Sequence, residues 1–167
     1  MSDQPLKGKV AVVTGASRGL GRAMAISLAE AGASIACVGR NEEKLSETKA
    51  LLDKLGVESD TFICDVRYED QVNDLEKQVS KRFGPIHILV NNAGTAIRKN
   101  LIEFSLEEWN TVLDTNLTGV FLCSRAFVPH MKTHKWGRVI NITSIMANVG
   151  SIGRAAYCAS KHGVLAI

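Results

Sequence analysis

Residues 9–21 read KVAVVTGASRGLG, and this stretch decides the fold. Lys9–Val13 is a short β-branched run bounded by Gly8 and Gly15, the composition of a strand buried on both faces. Three glycines follow, spaced GxxxGxG, and they open a helix rich in small residues, Leu20–Ala31, which stops at Gly32. Strand, glycine turn and helix in immediate succession form the first half of a βαβ unit. The turn also has the makings of a phosphate cradle. Gly15 permits a tight bend, Gly19 lets the backbone approach an anion, and Gly21 allows the helix to pack closely. The free amides of the helix N-terminus then face the anion. The spacing alone is weak evidence, because glycine is common; its place on the first β-turn-α of an alternating chain gives it weight.

The alternation continues outward. Ser34–Gly39 reads as a second strand, and Glu42–Leu55 as a helix with Leu45, Leu52 and Leu55 on one face, ended by Gly56. Thr61–Val66 reads as a third strand. Glu69–Phe83 is a third helix, with Val72, Leu75, Val79 and Phe83 along one face. Gly84-Pro85 stops it, and Ile86–Val90 is a fourth strand. Ser105 and Glu108 form a capping box, with Phe104 and Trp109 at the staple positions around it. The helix they open is expected to run to about Met131. Arg138–Thr143 is a fifth strand, and a last helix beginning near Arg154 is expected to be still running at Ile167. Apolar strands, each followed by a helix, predict a Rossmann-type doubly wound parallel α/β sheet over residues 1–167, read as one domain.

Composition excludes several classes. The 167 residues are 46% hydrophobic and 22% charged, which argues for a packed core and against disorder. A net charge of +3, from 20 basic and 17 acidic residues scattered along the chain, offers no stripe for nucleic acid or an anionic membrane. No apolar run reaches the roughly 18 residues of a membrane span. Residues Met1–Pro5 lack the apolar core of a secretory signal. Cys37, Cys64, Cys123 and Cys158 form no CxxC pair and read as reduced thiols of a cytoplasmic protein. His130 and His134 are four apart, but no third ligand stands near them, so no metal is expected.

Two further features carry chemistry. The second strand ends in Gly39-Arg40-Asn41, where folds that take NAD usually place an acid against the ribose 2′-hydroxyl. Arg40, assisted by Arg18 in the turn, suits a 2′-phosphate instead, so NADP(H) is preferred over NAD(H). Tyr157 and Lys161 are four apart in the last helix and share a face. A neighbouring ammonium favours the phenolate form, which makes a tyrosine a usable proton donor and acceptor for a carbonyl–alcohol pair. Ser144 lies at the C-terminal end of the fifth strand, the edge where ligands bind in open α/β sheets. Its plainer reading is a loop or capping serine, as Arg40's is a solvated surface charge.

Thr14–Gly21 (TGASRGLG), Asn91–Gly94 (NNAG), Asn116, Ser144 and Tyr157-x-x-x-Lys161 occur in the order and approximate spacing of the short-chain dehydrogenase/reductase family, which the chain resembles from Lys9 to Ile167. The resemblance implies hydride transfer between a nicotinamide and a substrate carbon. It makes Tyr157 the acid/base, with Lys161 activating it and holding the nicotinamide ribose. It makes Ser144 the group that orients the carbonyl, and Asn116 the residue that kinks its helix and positions a water in the proton relay. Gly15, Ser17, Arg18, Gly19, Leu20 and Gly21 would hold the diphosphate, and Asp65 and Val66 would lie at the adenine. Asn92, Ala93 and Gly94 would wall the adenosine side.

Residues 93–98 and 153–157 look most like those of enzymes acting on sugar acids, such as gluconate 5-dehydrogenase, with 3-oxoacyl-carrier-protein reductases close behind. Arg98 or Arg154 would then bind a substrate carboxylate, beside Ser144 and Tyr157. A non-catalytic NADP(H)-binding sensor is the competing class; it need not keep the whole set Asn116, Ser144, Tyr157 and Lys161. Members of the family assemble as homotetramers or dimers through the helices that carry Asn116 and Tyr157. They also continue well past the active-site lysine, so the resemblance implies that these residues are an N-terminal portion of a longer enzyme, truncated after the fifth strand and the start of the next helix.

Overall fold

The apolar runs pair side by side as their composition requires. In the computed structural model, which describes residues 4–167, β1 (Val10–Thr14), β2 (Ser34–Gly39), β3 (Ser59–Ile63), β4 (Ile88–Asn91) and β5 (Arg138–Asn141) form one parallel sheet. The order is β3-β2-β1-β4-β5. The chain builds outward from β1 in one direction, then returns to build in the other. The carboxyl ends of β1 and β4 therefore flank the point where strand order reverses, which is where such sheets bind ligands. The reading of Met1–Asp3 as lacking a secretory signal lies outside the described residues.

Helices α1 (Gly19–Glu30), α2 (Glu42–Asp53), α3 (Glu69–Phe83), α4 (Leu106–Leu113), α5 (Gly119–Thr133) and α6 (Ala155–Val164) connect and follow the strands. Because successive strand residues point to opposite faces, the sheet feeds two cores. Val10, Val12, Val38 and Leu89 pack with Val72, Leu75 and Val79 of α3 and Phe127 of α5. Ala11, Val13, Ile35 and Val90 pack with Ala25 and Ala29 of α1 and Leu45 and Leu52 of α2. Burial pushes the Cys37, Cys64 and Cys123 thiols up to about 12. All four cysteines are free, Cys158 being half-buried. No helix among the described residues is long and apolar enough to cross a membrane.

Several boundaries differ from expectation. The third strand is Ser59–Ile63 and not Thr61–Val66; Cys64 and Val66 are buried beyond its end, so the apolar run outlasts the strand. The helix opened by Ser105 does not run unbroken to Met131. It widens into a π-helical segment at Asp114–Thr118 before α5 resumes. The last helix ends at Val164, capped by Leu165, and is not still running at Ile167. The capping box forms as read: Ser105 Oγ accepts from the Glu108 amide at 3.1 Å, and Glu108 accepts from the Ser105 amide at 2.9 Å. His130 meets Glu76 at 2.6 Å, and His134 lies near His87, ring centroids 6.3 Å apart.

Candidate active site

The glycine turn is held from three sides. Gly15 has φ +68°, a conformation that glycine alone adopts freely. At Gly21 the issue is space: a Cβ would sit 2.1 Å from the Gly15 carbonyl oxygen and 2.6 Å from Asn92 Nδ2. Gly21 therefore packs against the turn itself and the Asn92 amide, a tighter fit than the helix-on-strand packing expected of it. From the end of β4, Asn92, the residue after the strand, donates to the Thr14 carbonyl at 3.0 Å, and the Thr14 hydroxyl accepts from the Asn92 and Ala93 amides, each at 3.0 Å. From behind, Arg22 of α1 donates to the Ser17 carbonyl at 2.7 Å and to Thr48 Oγ1 at 2.9 Å. Thr48 in turn donates to the Ala16 carbonyl at 3.0 Å.

The turn opens onto a cleft of about 760 Å³. Gly15, Ser17, Arg18, Gly19, Leu20, Gly21, Arg40, Asp65, Val66, Asn92, Ala93 and Gly94 all line it. Lys44 and Thr115 do so too, without having been singled out in the sequence. The arrangement fits a dinucleotide. A Cβ on Gly19 would meet nothing within 4 Å, so the helix N-terminus is open to an anion. The Arg40 side chain is 65% exposed at the rim. Asp65 is already engaged: Arg67 donates to its carboxylate at 2.7 Å, and Arg40 lies 3.6 Å from it. Burial, the largest single influence, would raise the Asp65 carboxyl, but the hydrogen bonds from the Arg67 side chain and amide, with the charges of Arg67 and Arg40, together hold the group below the usual carboxylate range.

Asn116, Ser144, Tyr157 and Lys161 do not line this cleft; they lie beyond Gly94, around α6. A Cβ on Gly94 would lie 3.3 Å from Asn116 Oδ1. Asn116 sits in the π segment, fully buried. It accepts from the Thr95 amide at 2.8 Å and donates to the Thr95 carbonyl at 2.9 Å and to Ser160 Oγ at 3.0 Å. Ser160 passes the connection to the Tyr157 carbonyl at 2.8 Å. Tyr157 is half-buried, while Lys161 is only 5% exposed. The Lys161 ammonium stands 5.9 Å from the centre of the Tyr157 ring and donates to the Ile142 carbonyl at 2.6 Å. Burial holds it below the ordinary lysine range.

Ser144 follows β5 in extended backbone, and its hydroxyl caps a 3₁₀ turn by accepting from the Met146 amide at 3.2 Å. His162 bonds the Ala147 carbonyl of that turn at 2.7 Å. Helix α6 thus grips the segment after β5 at both Ile142 and Ala147. Arg98 is exposed and Arg154 half-buried. Their loops are tied by the Lys99 amide, which donates to the Gly153 carbonyl at 3.0 Å. Sequence reasoning missed Arg22 and Thr48. Each reads as an ordinary surface polar residue until the helices are placed together.

Residues 9–167 match the family model described as short chain dehydrogenase. The 3-oxoacyl-(acyl-carrier-protein) reductase of Staphylococcus epidermidis is 39% identical over 160 residues, covering 95% of this chain and 66% of the relative. The chain thus spans about two thirds of the length of the curated relatives it matches. Among solved structures, NAD⁺-bound xylitol dehydrogenase superposes with a TM-score of 0.93 at 35% identity, over 96% of this chain and 62% of that one. A metagenomic short-chain oxidoreductase in complex with NADP superposes at 0.94 and 36%, over 97% of this chain and 74% of that one.

Proposed function

The chain belongs to the short-chain dehydrogenase family, and on that premise we propose that it carries the site of an NADP(H)-dependent oxidoreductase interconverting a carbonyl and a secondary alcohol. One observation carries the reading: a half-buried phenol and a buried ammonium share a face of α6, the ammonium 5.9 Å from the ring centre, and Asn116 ties that helix through Ser160 to Thr95, next to Gly94 of the glycine-turn cleft. When bound in the cleft, the nicotinamide supplies or accepts the hydride. Gly15–Gly21 and the first amides of α1 hold the diphosphate, and Arg40 meets the 2′-phosphate. In the reducing direction the carbonyl carbon gains a hydride and Tyr157 gives its phenolic proton to the oxygen. In the oxidising direction Tyr157 takes that proton back. Lys161 steadies the phenolate electrostatically and holds the nicotinamide ribose. Ser144 orients the substrate oxygen, and Asn116 positions a water that returns the proton to solvent.

For substrate, a keto sugar acid held through its carboxylate at Arg98 or Arg154 is supported by the Lys99–Gly153 bond that ties the two loops. A 3-oxoacyl thioester is the second reading, favoured by the 39% identity to the staphylococcal reductase. Free thiols support a cytoplasmic setting, and the exposed Leu106 and Phe121 of α4 and α5 support a homotetramer or dimer.

The test mixes the protein with NADPH and follows nicotinamide fluorescence, then absorbance on adding a keto sugar acid, a 3-oxoacyl thioester or a neutral ketone. Oxidation of NADPH by one of the first two is expected. Tight binding without oxidation by any carbonyl would overturn the reading in favour of a sensor. Arg98→Ala or Arg154→Ala should raise KM for the keto sugar acid far more than for the neutral ketone.

A further inference from the structure

At the adenosine end of the cleft, two arginine side chains share one carboxylate. Asp65 follows β3 with its side chain only 13% exposed. Arg67 holds it as a fork: Nε reaches Oδ1 at 3.0 Å and Oδ2 at 3.1 Å, and Nη2 reaches Oδ2 at 2.7 Å. The Arg67 amide closes onto Oδ1 at 3.2 Å. Arg40 approaches Oδ2 from the other side at 3.6 Å, too long for a hydrogen bond. Arg40 and Asp65 both line the cleft, whereas Arg67 stands behind Asp65 against the Tyr68 ring, 5.2 Å from its centre. Two guanidinium groups against one carboxylate leave a net positive charge at the rim, and it resides on the more exposed arginine, Arg40.

We infer that Arg67 is a specificity-determining residue that acts without touching the cofactor: by occupying Asp65 it leaves Arg40 free for a 2′-phosphate. The inference rests on the NADP(H) reading above. A fork of charge-assisted bonds is stronger than a single long contact, so Asp65 stays with Arg67. Without Arg67, the guanidinium left beside Asp65 among the described residues is Arg40. The 3.6 Å gap would close, and the positive charge of Arg40 would be spent on the carboxylate and withdrawn from a 2′-phosphate.

The experiment measures, by calorimetry, the ratio of affinities for adenosine 2′,5′-bisphosphate and adenosine 5′-monophosphate, which differ only in the 2′-phosphate. Unchanged protein should prefer the bisphosphate; equal binding would overturn the NADP(H) reading itself. Arg67→Gln should narrow the ratio by about fivefold, the upper range for a partly exposed ion pair. Asp65→Asn combined with Arg67→Gln removes the competing carboxylate and should restore the ratio. Arg67→Lys, which keeps the charge but not the fork, should fall between and serves if the glutamine variant does not fold. A ratio unmoved by Arg67→Gln but collapsed by Arg40→Gln would overturn the inference while leaving the cofactor reading intact. A double variant as impaired as Arg67→Gln would overturn it too.

Discussion

Asn116 donates through Nδ2 to the Ser160 hydroxyl at 3.0 Å, and this bond joins the π-helical segment to the helix that carries Tyr157 and Lys161. Asn116→Ala removes that bond, leaving Ser160 only its bond to the Tyr157 carbonyl, and strands both backbone groups of Thr95. A cost of about 2 kcal/mol in urea unfolding is expected, from buried polar groups left unpaired. NADPH affinity should change little, because the adenosine end is built by other residues, whereas kcat should fall at least about tenfold.

Tyr157→Phe keeps the ring that packs in α6 and removes only the hydroxyl. NADPH binding by fluorescence should stay within about twofold, and single-turnover reduction should fall by about a thousandfold or more, as for loss of a proton-transfer group. Retained turnover would remove Tyr157 from the chemistry.

Gly21→Ala places a methyl group 2.1 Å from the Gly15 carbonyl oxygen, which the braced turn cannot yield. A loss of about 2–3 kcal/mol in stability and of most cofactor affinity is expected. Gly8→Ala is the control. It also has positive φ but meets nothing within 4 Å, so it should cost about 1 kcal/mol and leave binding alone.

Thr48→Val removes the buried hydroxyl that links Arg22 to the Ala16 carbonyl. Thermal unfolding should report a loss of about 1–2 kcal/mol. NADPH and NADH binding should weaken by the same factor, because the turn serves the part common to both. A change in their ratio would contradict the role assigned to Thr48.

His87 Nδ1 accepts the Val10 amide at 3.1 Å, so that nitrogen is unprotonated in the fold. Burial, then the charges of Lys9 and His134, hold the imidazole below its usual 6.5. The native state therefore binds fewer protons than the unfolded chain as pH drops below that value. The contribution is fully present above pH 6.5 and lost as pH falls through the lower folded value. Urea midpoints from pH 7.5 down to 5 should fall, and His87→Gln should flatten that slope.

The elements legible in the sequence are those whose ends carry their own chemistry. Strand β2 and helix α3 lie at the residues their apolar patterns mark, α3 closing at Gly84. The glycine turn, the NNAG segment and the Tyr157–Lys161 pair were readable because each is local. What escaped depends on distant pairing. Arg22 and Thr48 lie 26 residues apart and look like solvated helix positions until α1 and α2 meet. The Arg67 fork was invisible for the opposite reason: its partner is two residues away, but its significance comes from Arg40, a strand distant. The π segment left no trace in the apolar periodicity, which reads straight through it; the kink at Asn116 came only from the family resemblance.

That widened turn at Asp114–Thr118 has an evolutionary corollary. A π-bulge accommodates one surplus residue in an α-helix without rotating what precedes or follows it. Excising one residue there would heal the helix into regular register, with Val112 and Phe127 still facing inward, yet would withdraw the amide of Asn116 from Thr95 and Ser160. A single-codon deletion there would therefore disconnect Asn116 from α6 in a protein that still folds.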